Sequence, residues 1–121
     1  MPSNSRPAFA LNLALDQTTD IGDLEILRPV SFVLEQNYPN PFNPSTTIEF
    51  TLPVSSRVTL TVYNLLGEVV IKLLDDVLPT GRQNVIWDGK DGKGASVASG
   101  IYWYRLEAAD YQATRKMILL K

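Results

Sequence analysis

The sequence predicts an all-β protein, an antiparallel sandwich of about seven strands, and three observations carry that prediction. From Thr47 onward, short runs alternate apolar with polar residues. Clusters of Gly, Pro, Asn and Asp punctuate those runs. No segment carries a helical apolar stripe bounded by capping residues. Two sheets that bury alternate positions against each other satisfy this pattern, so an immunoglobulin-like sandwich over roughly 85 residues is the expected architecture. A small barrel is the structural alternative.

The elements follow in order. Thr47-Ile48-Glu49-Phe50-Thr51-Leu52 reads as a half-buried strand, with Ile48, Phe50 and Leu52 on the core face. Pro53-Val54-Ser55-Ser56 turns the chain into Val58-Thr59-Leu60-Thr61-Val62-Tyr63, where Val58, Leu60 and Val62 point inward. Asn64-Leu65-Leu66-Gly67 places a glycine where a tight hairpin needs a positive φ, and it leads into a strand over 68–74. Pro79-Thr80-Gly81 marks the next turn, after which Gln83-Asn84-Val85-Ile86-Trp87 reads as a strand ending in Asp88. A polar loop over 88–94 follows, then the strand Gly100-Ile101-Tyr102-Trp103-Tyr104-Arg105-Leu106-Glu107. A last hairpin turns around Ala109 and Asp110 and runs through Gln112 to Leu120.

Ahead of these strands lies Tyr38-Pro39-Asn40-Pro41-Phe42-Asn43-Pro44. Its prolines fix φ repeatedly and remove backbone donors, so it is neither helix nor central strand. A stiff, polyproline-like lead-in strap is expected, anchored by Tyr38 and Phe42. Residues 1–33 read as an extended arm, a linker or the tail of a preceding module, with candidate extended runs at 8–15 and 24–28. The start, Met1-Pro2-Ser3-Asn4-Ser5-Arg6-Pro7, lacks the basic and apolar regions of a secretory signal and reads as an excised beginning. The domain proper is expected over 34–121.

Composition narrows the function. With 11 basic and 13 acidic residues and a net charge of −2, the chain has no electrostatic footprint for nucleic acid or an anionic membrane. Only 2 basic but 5 acidic residues precede Asn37, against 9 basic and 8 acidic from it onward, so the composition shifts at the strap. Cysteine and histidine are both absent, which excludes disulfides, thiol nucleophiles and the commonest general base and metal ligand. No run is long and apolar enough for a membrane-spanning helix. No enzymatic activity, metal or cofactor is expected.

Three constellations still carry chemistry in principle. Asp88 and Asp91 stand among glycines like the start of a calcium loop, but the ligand spacing is wrong and Ser99 holds the position where the closing glutamate belongs. Asp88 is expected to bond nearby turn amides instead. Trp87, Tyr102, Trp103 and Tyr104 suggest an aromatic platform for a sugar ring, yet adjacent strand residues point to opposite faces, so Tyr102 and Tyr104 share one face and Trp103 takes the other. The acidic residues show no paired arrangement of the kind glycoside hydrolysis needs.

The final run, Lys116, Met117, Ile118, Leu119, Leu120 and Lys121, is a basic-flanked apolar strand at a place where chains are usually loose and polar. It is expected either to be buried in a sheet or to be offered to a partner by strand addition at an edge, with the lysines discouraging promiscuous pairing.

The ordered set Asn37-Tyr38-Pro39-Asn40-Pro41-Phe42-Asn43-Pro44-Ser45-Thr46-Thr47-Ile48, Val62-Tyr63-Asn64 with Gly67, Trp87-Asp88-Gly89, Ser99-Gly100-Ile101-Tyr102 and the closing 116–121 run resembles the type A C-terminal sorting domain of the type IX (Por) secretion system. The resemblance covers about residues 34–121. It is also similar to the immunoglobulin-like module of flagellar hook-capping proteins. The first resemblance implies a domain attached behind a cargo, exported through the periplasm to the outside or the cell surface, with translocon components and a sortase as partners. It implies removal or surface anchoring by a cut upstream, around 27–36. It also implies recognition through Pro39, Asn40, Pro41, Gly100, Tyr102 and the 116–121 run. The alternatives are a structural module of a flagellar cap and a carbohydrate-binding sandwich appended to an exported enzyme.

Overall fold

The computed structural model describes residues 31–121, so the runs at 8–15 and 24–28 lie outside the described residues. Seven strands follow in chain order: β1 Val33–Leu34, β2 Thr46–Leu52, β3 Ser56–Tyr63, β4 Val69–Leu78, β5 Gly81–Trp87, β6 Gly100–Ala108 and β7 Tyr111–Leu119. They form two antiparallel sheets, ordered β1-β2-β5 and β4-β3-β6-β7. Two separate sheets make a sandwich, and the barrel alternative falls away.

The period-two alternation sets the core. Ile48, Phe50 and Leu52 of β2 face Val58, Leu60 and Val62 of β3, with Tyr104 and Leu106 of β6 and Met117 and Leu119 of β7 completing the buried layer. Each such large side chain contributes about 1.5–3 kcal/mol by leaving water. Trp87 closes one end of the core, its ring 5.6 Å from Phe42 and 5.4 Å from Tyr102 between centroids. Its indole Nε1–H donates to the Lys90 carbonyl at 2.8 Å, so the ring is buried with its polar atom paired.

Turn chemistry joins the strands as the residues require. Asn64 Oδ1 accepts from the Leu66 and Glu68 amides at 2.9 and 3.0 Å, and Gly67 takes a φ of 81°, which closes the β3–β4 hairpin. β4 runs on to Leu78, beyond the apolar stretch that ends at Leu74. Backbone pairing with β3, which extends to Ser56 opposite Leu78, carries the strand through the polar Asp75 and Asp76. At the last turn Ala109 has a φ of 53°, and the β6–β7 ladder resumes at once with Ala108 opposite Tyr111.

The strap departs from the straight polyproline-like run. It bends at 39–41 and makes two isolated bridges, Tyr38 to Thr47 in β2 and Phe42 to Leu119 in β7. The peptide bonds before Pro39, Pro41 and Pro44 are cis. Phe42 anchors the strap in the core, as expected, but Tyr38 does not: it is 80% exposed. Residues paired across an antiparallel bridge point to the same face, and Thr47 lies on the outward face of β2, so Tyr38 is carried outward with it.

Candidate recognition surface

The surface is built where the strap crosses from one sheet to the other. Glu35 N–H bonds the Glu49 carbonyl at 2.9 Å, and Tyr38 and Thr47 exchange backbone bonds of 2.9 Å each, so the first half of the strap extends the β2 edge. The second half lies against β7 in parallel: Phe42 N–H donates to the Ile118 carbonyl at 2.9 Å, and Leu120 N–H donates to the Phe42 carbonyl at 3.0 Å. Asn40 supplies the remaining acceptor, its Oδ1 taking the Ile118 N–H at 2.9 Å.

A buried polar knot holds the crossing in place. The Tyr104 hydroxyl donates to the Glu35 carbonyl and accepts from the Asn37 amide, both at 2.7 Å. The Asn37 side chain donates to the Pro39 carbonyl at 3.1 Å and to Thr46 Oγ1 at 2.9 Å, and Thr46 Oγ1 donates in turn to the Pro39 carbonyl at 2.8 Å. Burial pushes the Tyr104 phenol up to about 12, because ionisation there would place a charge in the core. Two longer side chains add further ties to β7 and β1: Gln36 Nε2 donates to the Lys116 carbonyl, and Arg115 Nε donates to the Leu34 carbonyl, each at 2.7 Å.

The eleven residues singled out from the sequence therefore come together. Gly100 pairs with Leu119 and Tyr102 with Met117 across the β6–β7 ladder, while Lys121 N–H donates to Ser99 Oγ at 3.0 Å. Gly100 has a φ of 152°, a backbone geometry that side chains disfavour, and no atom stands within 4 Å of where its Cβ would sit. Its role is the bend at the start of β6, not a close approach. Tyr102, Met117 and Leu119 are buried. They position the surface from beneath, and burial pushes the Tyr102 phenol up from its ordinary value. Pro39, Asn40, Pro41, Lys116, Leu120 and Lys121 are exposed, with Gly100 and Ile118 partly so. Those residues form the accessible face.

One expectation changes. β7 is the edge strand of its sheet, but at Ile118 and Leu120 the strap already occupies the outer hydrogen-bonding positions. Strand addition by a partner at that stretch would have to displace the strap. The part that Asn37, Gln36, Arg115 and Tyr104 play in making the crossing was not legible in the sequence: the Asn37 and Tyr104 partners are 67 residues apart.

The other constellations resolve into local structure. Asp88 Oδ1 accepts from the Lys90 amide at 3.2 Å, as expected of a turn residue. Asp91 Oδ1 accepts from the Lys93 and Ala95 amides at 2.9 and 3.0 Å, and these donors hold its carboxyl below the ordinary value. Among the described residues no three acidic, histidine or cysteine side chains gather as a metal-holding group. Trp87, Tyr102 and Tyr104 are buried and only Trp103 faces outward, so the four rings form no shared sugar platform.

Known structures share this fold. PorU from Porphyromonas gingivalis, in its dimeric latent form, aligns with a TM-score of 0.59 at 21% identity over 76% of this chain and 10% of its own. PorZ, a surface component of the type IX secretion system of the same organism, aligns with a TM-score of 0.53 at 20% identity over 71% of this chain and 11% of its own. The chain thus spans about a tenth of the length of both proteins. FlgD from P. aeruginosa aligns with a TM-score of 0.50 at 24% identity, covering 65% of this chain and 67% of its own. No curated protein shows a significant match. Residues 42–112 match the FlgD Ig-like domain, which is more than half of the sequence, and the protein belongs to that family.

Proposed function

We propose that residues 34–121 form a sorting domain that directs an attached cargo across the outer membrane through the type IX secretion system. The observation that carries the reading is the convergence of the strap, the start of β6 and the 116–121 run into one hydrogen-bonded face. A receptor reading that face meets a preformed surface, so little ordering entropy is lost on binding. Similar sandwiches within PorU and PorZ, each covering about a tenth of a much larger chain, support the picture of an appended module. Translocon components and a sortase are the partners in this reading.

In this reading a sortase cuts ahead of the sandwich. Leu34 is buried, Glu35 is paired to β2 and Gln36 is tied to β7, so 34–36 is part of the sandwich and a poor substrate for cleavage. The cut of a folded domain then falls ahead of Val33. The test is a reporter fused to this chain in a host with the type IX system. Export is expected, and it is expected to fail when Lys116, Met117, Ile118, Leu119, Leu120 and Lys121 are deleted. Periplasmic retention of the intact fusion would sink the reading.

The FlgD family match favours a second reading, a structural module of a flagellar hook cap. A source genome without flagellar genes excludes it.

A further inference from the structure

The outer face of the four-stranded sheet, on the side away from the core, carries a feature that the sorting reading does not use. Among the four arginines in the described residues, Arg57 and Arg82 each reach a carboxylate at 2.7 Å, and Arg115 reaches the Leu34 carbonyl. Among the described residues Arg105 has neither: its Nε is sealed from solvent with no hydrogen-bond partner there, and no carboxylate of these residues stands within 4 Å. Its guanidinium instead lies over the Tyr63 ring, 5.4 Å from the centroid.

An arginine whose Nε is desolvated and left without an acceptor is costly, and native structures seldom keep such an atom without use. Arg105 lines an open groove of about 380 Å³, with Trp103, Tyr63, Thr114 and Leu65 around it. Register explains the grouping, because Tyr63 pairs with Trp103, Thr61 with Arg105, and Arg105 with Thr114. Lys116 stands opposite Trp103, which adds a second positive charge beside the groove. The nearest acid on the strand, Glu107, accepts from Thr59 Oγ1 at 3.1 Å.

We propose that this groove binds an acidic peptide segment of a partner protein, with Arg105 receiving a carboxylate and Trp103 and Leu65 receiving a neighbouring apolar side chain. The planar guanidinium matches a carboxylate bidentately, and the Tyr63 ring beneath it holds the fork in orientation. The apolar part of the occupant follows from the hairpin tip, where Leu65 and Leu66 are 67% and 83% exposed. A sugar acid is served less well. Asn64, the amide at the groove, already spends its Oδ1 on Leu66 and Glu68 and its Nδ2 on Glu68, so few polar groups remain for ligand hydroxyls.

The test is an NMR titration of the full chain with the blocked peptide Leu-Glu-Leu-Glu-Leu, its Leu-Gln-Leu-Gln-Leu counterpart and an oligogalacturonate. The expected result is saturable movement of the Trp103 indole and Arg105 Nε–H signals with the acidic peptide. Binding by the glutamine peptide should be at least about tenfold weaker, since it lacks the charge-assisted pair. Arg105→Lys should weaken the acidic peptide by about tenfold, because an ammonium has no fork. Leu65→Ser, at an exposed tip where folding is not at stake, should weaken it as well. Equal binding of the two peptides, no effect of either substitution, or tighter binding of the oligogalacturonate would each overturn the proposal.

Discussion

Tyr104 shows how much one hydroxyl can organise. It joins the β6 strand to a strap 67 and 69 residues away by donating to Glu35 and accepting from Asn37. Tyr104→Phe keeps the ring and removes both bonds, leaving the buried Asn37 N–H and the partly buried Glu35 C=O without that partner, and is expected to cost about 1–3 kcal/mol in chemical denaturation. The pH dependence is separable. The unfolded phenol ionises near 10 while the folded one waits until about 12, so the stabilisation is complete below pH 10 and is lost as pH rises towards 12. The Phe variant should lack that part of the alkaline loss, and a parallel alkaline decline in both proteins would count against this account. Alternation along the strand was enough to put Tyr104 and Trp103 on opposite faces, and the structure shows that Tyr104 is the inward one. It said nothing of Asn37 or of Arg105 over Tyr63, because those contacts depend on cross-strand register, which a linear string does not contain. Tyr38 failed for the same reason: its aromatic character suggested an anchor, but its pairing with Thr47 turned it to solvent.

At the scale of elements, the strap and β7 form one unit. Ile118 N–H and C=O point outward to Asn40 and Phe42, so by antiparallel alternation those of Met117 point to β6. Asn40→Ala is therefore expected to accelerate hydrogen exchange at the Ile118 amide while leaving the Met117 amide protected. Unchanged exchange at Ile118 would show that Asn40 does not guard this edge. Most strands were legible because each alternates over a half-buried sheet, as in Ile48, Phe50 and Leu52. β4 was underestimated since its far end rests on backbone pairing with β3 rather than on apolar side chains. The strap was recognised as a breaker from its prolines, but its course was not, since its bends are set by two sheets that its own residues do not describe.

At the scale of the whole molecule, the sandwich makes the distant pieces of a sequence motif into neighbours. Pro39, Gly100 and Lys116 are widely separated in the string, yet the β6–β7 ladder and the strap crossing bring their segments to one face. The sorting reading accordingly depends on fold integrity as well as on the last six residues. The Arg105 groove and this face both draw on β6 and β7, and Lys116 of the face stands opposite Trp103 of the groove.

The parallel contact of the strap with β7 has a mechanical consequence. If the domain is held at Lys121 and pulled from Ser31, the load runs along two segments that point the same way. The Phe42–Ile118, Leu120–Phe42 and Asn40–Ile118 bonds are then sheared together rather than peeled one by one. Tension arriving from Ser31 would load the β1 and Tyr38 pairings with β2 first and then this clamp. Single-molecule pulling between those two ends is expected to show one high-force rupture, lowered in Asn40→Ala, whereas a gradual low-force peel would show that the strap bears no load.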